Sequence, residues 1–133
     1  MKVLLVDTNV VSILFKKTHP LRPACLEAVF GQQLVISFMT QAELMLWPVA
    51  NNWGASRRAA LSEYMSLYTT VYADERTCAI WATVVNRCRR NGRQIQTADA
   101  WIASAARQWA IPLVTTDYRD YAAVDDLDVV PIR

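Results

Sequence analysis

Four carboxylates stand out by where they fall in the chain. Asp7 directly follows the apolar run Val3-Leu4-Leu5-Val6, Glu43 lies in Thr40-Gln41-Ala42-Glu43-Leu44, Asp99 in Thr97-Ala98-Asp99-Ala100-Trp101, and Asp117 follows Leu113-Val114-Thr115-Thr116. Each marks the end of an apolar run or the start of a helix, positions that face the rim of an α/β sheet where ligands bind. Carboxylates gathered at such a rim, without histidine or cysteine among them, form a ligand set for a hard divalent cation such as Mg²⁺ or Mn²⁺ rather than for zinc. Left unneutralised they would repel one another, raising some of their pKa values and coupling their titrations.

Each acid also has a structural reading. Thr40 and Glu43 have the spacing of a capping box, in which each side chain satisfies the other's free backbone donor. Asp99, two residues past Thr97, would complement a helix dipole. Asp117 could cap a short turn through Tyr118 to Tyr121. Asp7 is the hardest to assign to structure alone, because a carboxylate at the end of a buried strand needs a cation or several donors.

Alternating elements must carry these residues. Lys2 to Val6 reads as a strand, followed by a helix from Asn9 to Lys17 with Val10, Ile13 and Leu14 at helical spacing. A short helix starting at Pro20 stops at Gly31, and Leu34 to Phe38 is a second strand. Thr40 opens a helix that Pro48 should end or bend, since proline removes a donor and crowds the preceding turn. Ala55 to Leu67 and Asp74 to Asn91 are helical by periodicity, joined by the β-branched and aromatic stretch Thr69 to Tyr72. Thr97 to Trp109 is the last helix, with strands at Ile111 to Thr115 and Val129 to Ile132. Strands alternating with helices, without hairpin signals, predict a mostly parallel sheet covered on both faces.

The 133 residues fit one domain, 1–133, able to bury roughly two-thirds of its unfolded surface. Hydrophobic residues make up 53% of the chain, slightly more than an average soluble domain carries. The chain has no apolar run long enough to cross a membrane, and Asp7 interrupts the N-terminal run before a secretory signal is complete, so a cytoplasmic protein is expected. Cys25, Cys78 and Cys88 are odd in number and lack paired spacing, and His19 is the single histidine, which argues against a disulfide framework and a zinc site. The net charge of +2 is small, but the cations cluster: Lys16, Lys17, His19 and Arg22; Arg57 and Arg58; Arg87, Arg89, Arg90 and Arg93. Each cluster reads as a solvated helix face or as a phosphate-binding surface. Aromatic residues at helical spacing read as core or as surface for a partner.

Taken in order, Val6-Asp7-Thr8-Asn9, Thr40 to Leu44, Thr97 to Ala103 and Leu113 to Asp117 resemble the four acidic motifs of PIN-domain ribonucleases, and most of all the VapC-type toxins of type II toxin-antitoxin modules. The resemblance spans nearly the whole chain; Trp101 and the tryptophans at 47, 53 and 81 are its less usual elements. It implies a three-layer α/β/α sandwich on a parallel sheet of four or five strands, a homodimer, a cognate antitoxin, and cleavage of RNA dependent on Mg²⁺ or Mn²⁺. Asp7, Glu43, Asp99 and Asp117 would hold the metal. Asn9 and Thr115 or Thr116 would orient ligands or water, with Asp120 as an additional acid. Substrate RNA would be held by Lys16, Lys17 and Arg22 and by Arg87, Arg89, Arg90 and Arg93. Two rivals remain: a haloacid-dehalogenase-like phosphatase with Asp7 as nucleophile, in which Asn9 would replace the usual second aspartate, and a non-catalytic module that binds RNA or protein.

Overall fold

The computed structural model describes all residues, Met1–Arg133. Five strands, β1 (Val3–Val6), β2 (Gln33–Ser37), β3 (Thr69–Val71), β4 (Leu113–Thr115) and β5 (Val129–Pro131), form one sheet in the order β3-β2-β1-β4-β5. Every pairing is parallel. Six helices surround it: α1 (Thr8–Lys16), α2 (Arg22–Val29), α3 (Phe38–Ala50), α4 (Ala55–Met65), α5 (Glu75–Arg90) and α6 (Thr97–Trp109). Strands β1, β2 and β4 are buried over most of their length, as expected of a parallel sheet sandwiched between helices. One core sets Leu4, Val6 and Ile36 against α1, α2 and α3; a second sets Leu5, Val35 and Leu113 against the small residues Ala103, Ala105 and Ala106 of α6. Alternate residues along a strand thus serve opposite faces, which is how two helical layers share a thin sheet. No helix is long and apolar enough to cross a membrane.

Three local expectations need correction. α3 begins at Phe38, not Thr40, and its cap is Ser37: the Ser37 hydroxyl accepts from the backbone N–H of Met39 at 3.1 Å and of Thr40 at 3.2 Å. The Thr40–Glu43 capping box does not form, because Thr40 already lies in the first turn. Ser37→Ala is expected to cost about 1 kcal/mol, read as a lower urea midpoint, whereas Glu43→Gln should leave that midpoint unchanged.

Pro48 does not end α3. The helix runs on to Ala50 with its last turn held from outside: Arg58 donates to the Pro48 carbonyl at 3.0 Å, and the Asn51 amide donates to the Trp47 carbonyl at 3.0 Å. A proline this close to a C-terminus forfeits one ladder bond rather than several. α2 likewise begins at Arg22, not Pro20, with Pro23 within its first two positions, where a missing N–H costs nothing.

Candidate active site

β1 lies between β2 and β4, and the chain leaves these two neighbours on opposite sides of it, so the carboxyl end of β1 is where the topology switches. Asp7 stands at that end, Asp117 two residues beyond β4, and Asp99 in the first turn of α6, whose C-terminus feeds β4 from the opposite edge. Glu43 comes from the second turn of α3, directly after β2. The sheet therefore delivers all four acids to one edge.

Asp7 is only 4% exposed. Its two oxygens have separate donors: the Thr8 backbone N–H at 2.8 Å and the fully buried Thr115 hydroxyl at 2.6 Å. Thr115 also accepts from the Asp117 N–H at 2.9 Å, so one side chain fixes both aspartates. Asn9 donates its amide to the Asp117 carboxylate, which therefore faces the site and does not cap the 3-10 turn Tyr118–Tyr121 that follows. Asp99 accepts from the buried Tyr121 hydroxyl at 3.4 Å.

The electrostatics follow from burial and like charge. Burial raises the Asp7 pKa, opposed by its hydrogen bonds and reinforced by Asp117. Asp99 is pushed up to about 6, first by burial and then by Asp7 and Asp120. Tyr121 is raised far out of its usual range by burial and by the neighbouring Asp7 and Asp99 charges, so its hydroxyl stays a donor at any physiological pH. Asp7, Asp99, Asp117 and Asp120 thus form one negative region in which fields add, the situation a bound cation relieves. Its donors are all oxygen, which suits a hard divalent ion. No three acidic, histidine or cysteine side chains stand in an arrangement able to hold a metal ion as they are oriented.

Glu43 is tied in through hydroxyls. Thr8 donates to Glu43 at 2.8 Å and lies 2.9 Å from the buried Thr40 hydroxyl. Since the single Thr8 proton points to Glu43, Thr40 must donate to Thr8. Thr40, assigned by its sequence to a cap, instead starts a relay that aims Glu43. Thr8→Val should break the relay and lower activity roughly 10- to 100-fold, while Thr8→Ser should retain most of it; initial-rate measurements on the two variants decide this.

Two clefts flank the acids. One, of ≈ 440 Å³, is lined by Asn9, Lys16, His19, Thr116 and Asp117. The other, of ≈ 210 Å³, is lined by Arg93, Gln96, Asp99, Arg119 and Asp120. Of the basic residues singled out by sequence, Lys16 and Arg93 thus border the site, and Lys17, Arg89 and Arg90 are exposed. Arg87 is paired with Asp125 at 2.7 Å. Arg22 is half-buried beside Tyr64, its Nε enclosed without a partner, so it is no freely solvated cation. Arg119 and Tyr121 were not singled out by sequence; Tyr121 lies four residues beyond Asp117 in an aromatic turn, the one signal that could have marked it.

A model of the PIN domain family matches residues 4–127. The chain belongs to the PIN domain family. Among relatives, Toxin FitB of Neisseria gonorrhoeae is 27% identical over 92% of this chain and 93% of its own length. Ribonuclease VapC1 of Haemophilus influenzae (strain R2866) is 29% identical over 92% of each chain, and Ribonuclease VapC4 of Mycobacterium tuberculosis 29% identical over 77% of this chain and 79% of its own. Among solved structures, VapBC2 from Rickettsia felis, bound to a DNA fragment from its promoter, superposes with a TM-score of 0.85 at 17% identity, covering 98% of this chain and 99% of that one. FitAcB from Neisseria gonorrhoeae superposes at 0.76 with 28% identity over 95% of each. The PIN sandwich expected from the acidic motifs is thus the fold observed, with five strands and all of them parallel.

Proposed function

We propose that this PIN-domain protein is a divalent-metal-dependent endoribonuclease, the toxin of a type II toxin-antitoxin module. The observation that carries the reading is the buried Asp7, whose charge is raised in energy beside Asp99 and Asp117 at the switch point of the sheet. The names of the relatives, ribonucleases and toxins, support it.

Asp7, Asp99 and Asp117 would hold Mg²⁺ or Mn²⁺, with Glu43 joining through its Thr8 tether. When bound, the ion supplies a lowered pKa for attacking water and stabilises charge on the leaving 3′ oxygen. The chain's own residues set the stage for this. Thr115 and Thr8 keep Asp7 from turning away, Asn9 does the same for Asp117, and Tyr121 offers Asp99 a permanent donor. Lys16 and Lys17 on one side and Arg93 and Arg119 on the other would neutralise phosphates of a strand laid across the acids, with release of counterions. Arg89 and Arg90 extend the basic face along α5. Asp120, exposed next to Asp99, adds to the negative field, and Thr116 lines the floor of the Lys16 cleft.

A cognate antitoxin would cover apolar surface that a lone domain leaves bare: Met45, Leu46 and Val49 on α3 are each more than half exposed, and Met45 and Val49 border a groove of ≈ 370 Å³ between α3 and α4. A solved structure of the same fold is a toxin-antitoxin complex from Klebsiella pneumoniae. A homodimer in the cytoplasm completes the proposal. The phosphatase alternative loses its footing with membership of the PIN family, and Asn9 is committed to Asp117 rather than poised as a general acid.

The test is cleavage of a structured RNA by the purified protein with Mg²⁺ or Mn²⁺, with EDTA as control and with the ends mapped. Cleavage that needs metal and leaves 5′-phosphate and 3′-hydroxyl ends is expected. Cyclic-phosphate products, or cutting that EDTA does not stop, would overturn the reading, and absence of cleavage would favour the non-catalytic binding module.

A further inference from the structure

We infer that the groove behind the α5–α6 loop is a nucleobase subsite that reads one unpaired base of the RNA next to the cut. This rests on the reading of the protein as a ribonuclease. The groove, of ≈ 450 Å³, is lined by Trp81, Arg89, Gln94, Gln96 and Thr97, with Ile95 and Val85 beneath. It shares Gln94, Ile95 and Gln96 with the cleft that holds Asp99, Asp120, Arg93 and Arg119. The loop is therefore a ridge between the acids and the groove, so a strand whose phosphate lies at Asp99 has only that ridge to cross to place a base behind it.

The lining is of the kind that recognises a splayed base. Flat heteroaromatic rings are held by stacking on aromatic or guanidinium planes and identified by donors and acceptors at their edges. Trp81 supplies an indole, Arg89 a guanidinium in neither of the protein's two ion pairs, and Gln94 and Gln96 two exposed amides, each offering donor and acceptor. The indole is rigid: it stacks on Trp101 at 5.1 Å and 20°, and Trp101 is in turn met edge-on by Phe38 at 5.5 Å. That rigidity comes with a penalty, since the Trp81 Nε1–H is buried without a partner, a defect that a phenylalanine would avoid. A large aromatic ring that carries that defect and lines a groove between amides and a guanidinium fits a stacking platform better than core filling.

Two measurements test the subsite separately from the nuclease reading. Binding is measured in EDTA, where no cleavage occurs, with four single-stranded oligoribonucleotides that differ only in one base; cleavage of the same four is measured in Mn²⁺. The wild-type protein is expected to favour one base by about tenfold, and the Gln94→Ala/Gln96→Ala protein to treat all four as it treats the poorest. Trp81→Ala should weaken binding of all four, and Trp81→Phe, with its smaller ring, should restore it only in part. Base preference in EDTA that the double variant erases would sustain the subsite even if no cleavage is seen, in which case the nuclease reading falls alone. Metal-dependent cleavage with a base profile unchanged in the double variant, or a wild-type protein indifferent to the base, overturns the subsite and leaves the nuclease.

Discussion

Asp99→Asn is expected to lower RNA cleavage by at least about a thousandfold while making the metal-free protein harder to unfold at pH 7. The first effect follows from the proposed role of Asp99 as a ligand of an ion that would supply several kcal/mol of charge stabilisation, each 1.36 kcal/mol being about tenfold in rate. The second comes from the energetics of the apo site. The Asp99 pKa is raised from 3.8 to about 6 by burial and by Asp7 and Asp120. A carboxyl raised in the folded state favours folding fully only below its unfolded pKa, and that contribution is lost as pH rises through about 6. At pH 7 the ionised group therefore opposes folding, and asparagine removes the opposition while keeping an oxygen for the Tyr121 hydroxyl. Because the side chain is partly open to solvent, the gain is discounted to about 1 kcal/mol. Urea unfolding in EDTA and single-turnover cleavage in Mn²⁺ measure the two effects. A variant that cuts at the wild-type rate removes Asp99 from the site. One that loses stability along with activity makes its role structural.

That opposition of stability and activity explains which parts of the site were legible in the sequence. A lone charge at the end of Leu4-Leu5-Val6 conflicts with local preference, and such conflicts concentrate at functional positions. Asp7 could be picked out for that reason, and parallel topology brought Asp117 and Asp99 with it. Glu43 fits a local rule, the capping box, but Ser37, the last residue of β2, caps α3 three residues earlier than Thr40 would. Hydrogen-bond competition between neighbouring hydroxyls is decided by backbone direction, which spacing does not encode. The same holds for Thr8 and Thr40, whose relay to Glu43 joins residues 32 and 35 positions apart.

The cations were legible as clusters, but not by their surroundings. Arg87 and Arg89 look equivalent in Arg87-Cys88-Arg89-Arg90, yet the fold brings Asp125 to the first and an open groove to the second. Arg22 sits next to Pro23 at the start of a helix, a place that reads as surface, but the helix packs so that the side chain is half-buried, its Nε enclosed without a partner. Arg119 carries no cluster signal and still borders Asp99, because the 3-10 turn after Asp117 folds back over the site. Charge composition predicts such contacts poorly, since pairing depends on which loops the sheet brings together.

Adding Mn²⁺ to the metal-free protein at pH 7.5 is expected to raise its unfolding temperature by several degrees, and the shift should fade as pH falls through about 6. An ion that binds only the folded chain stabilises it by about 2.7 kcal/mol at a concentration a hundred times its dissociation constant. For a domain of this size, that corresponds to roughly 10 °C. Protons compete for the same oxygens. Asp99 takes up its proton near pH 6 and Asp7 is raised in the same direction, so lowering the pH would withdraw the two proposed ligands as it relieves their repulsion. The metal-free protein should therefore gain stability from pH 7 toward pH 5 while the metal-dependent increment disappears, and the two melting curves should converge. Asp99→Asn should flatten both trends, showing little gain on acidification and little response to Mn²⁺. A metal-induced shift that persists undiminished at pH 5, or an equal shift in Asp99→Asn, would mean that the ion binds elsewhere.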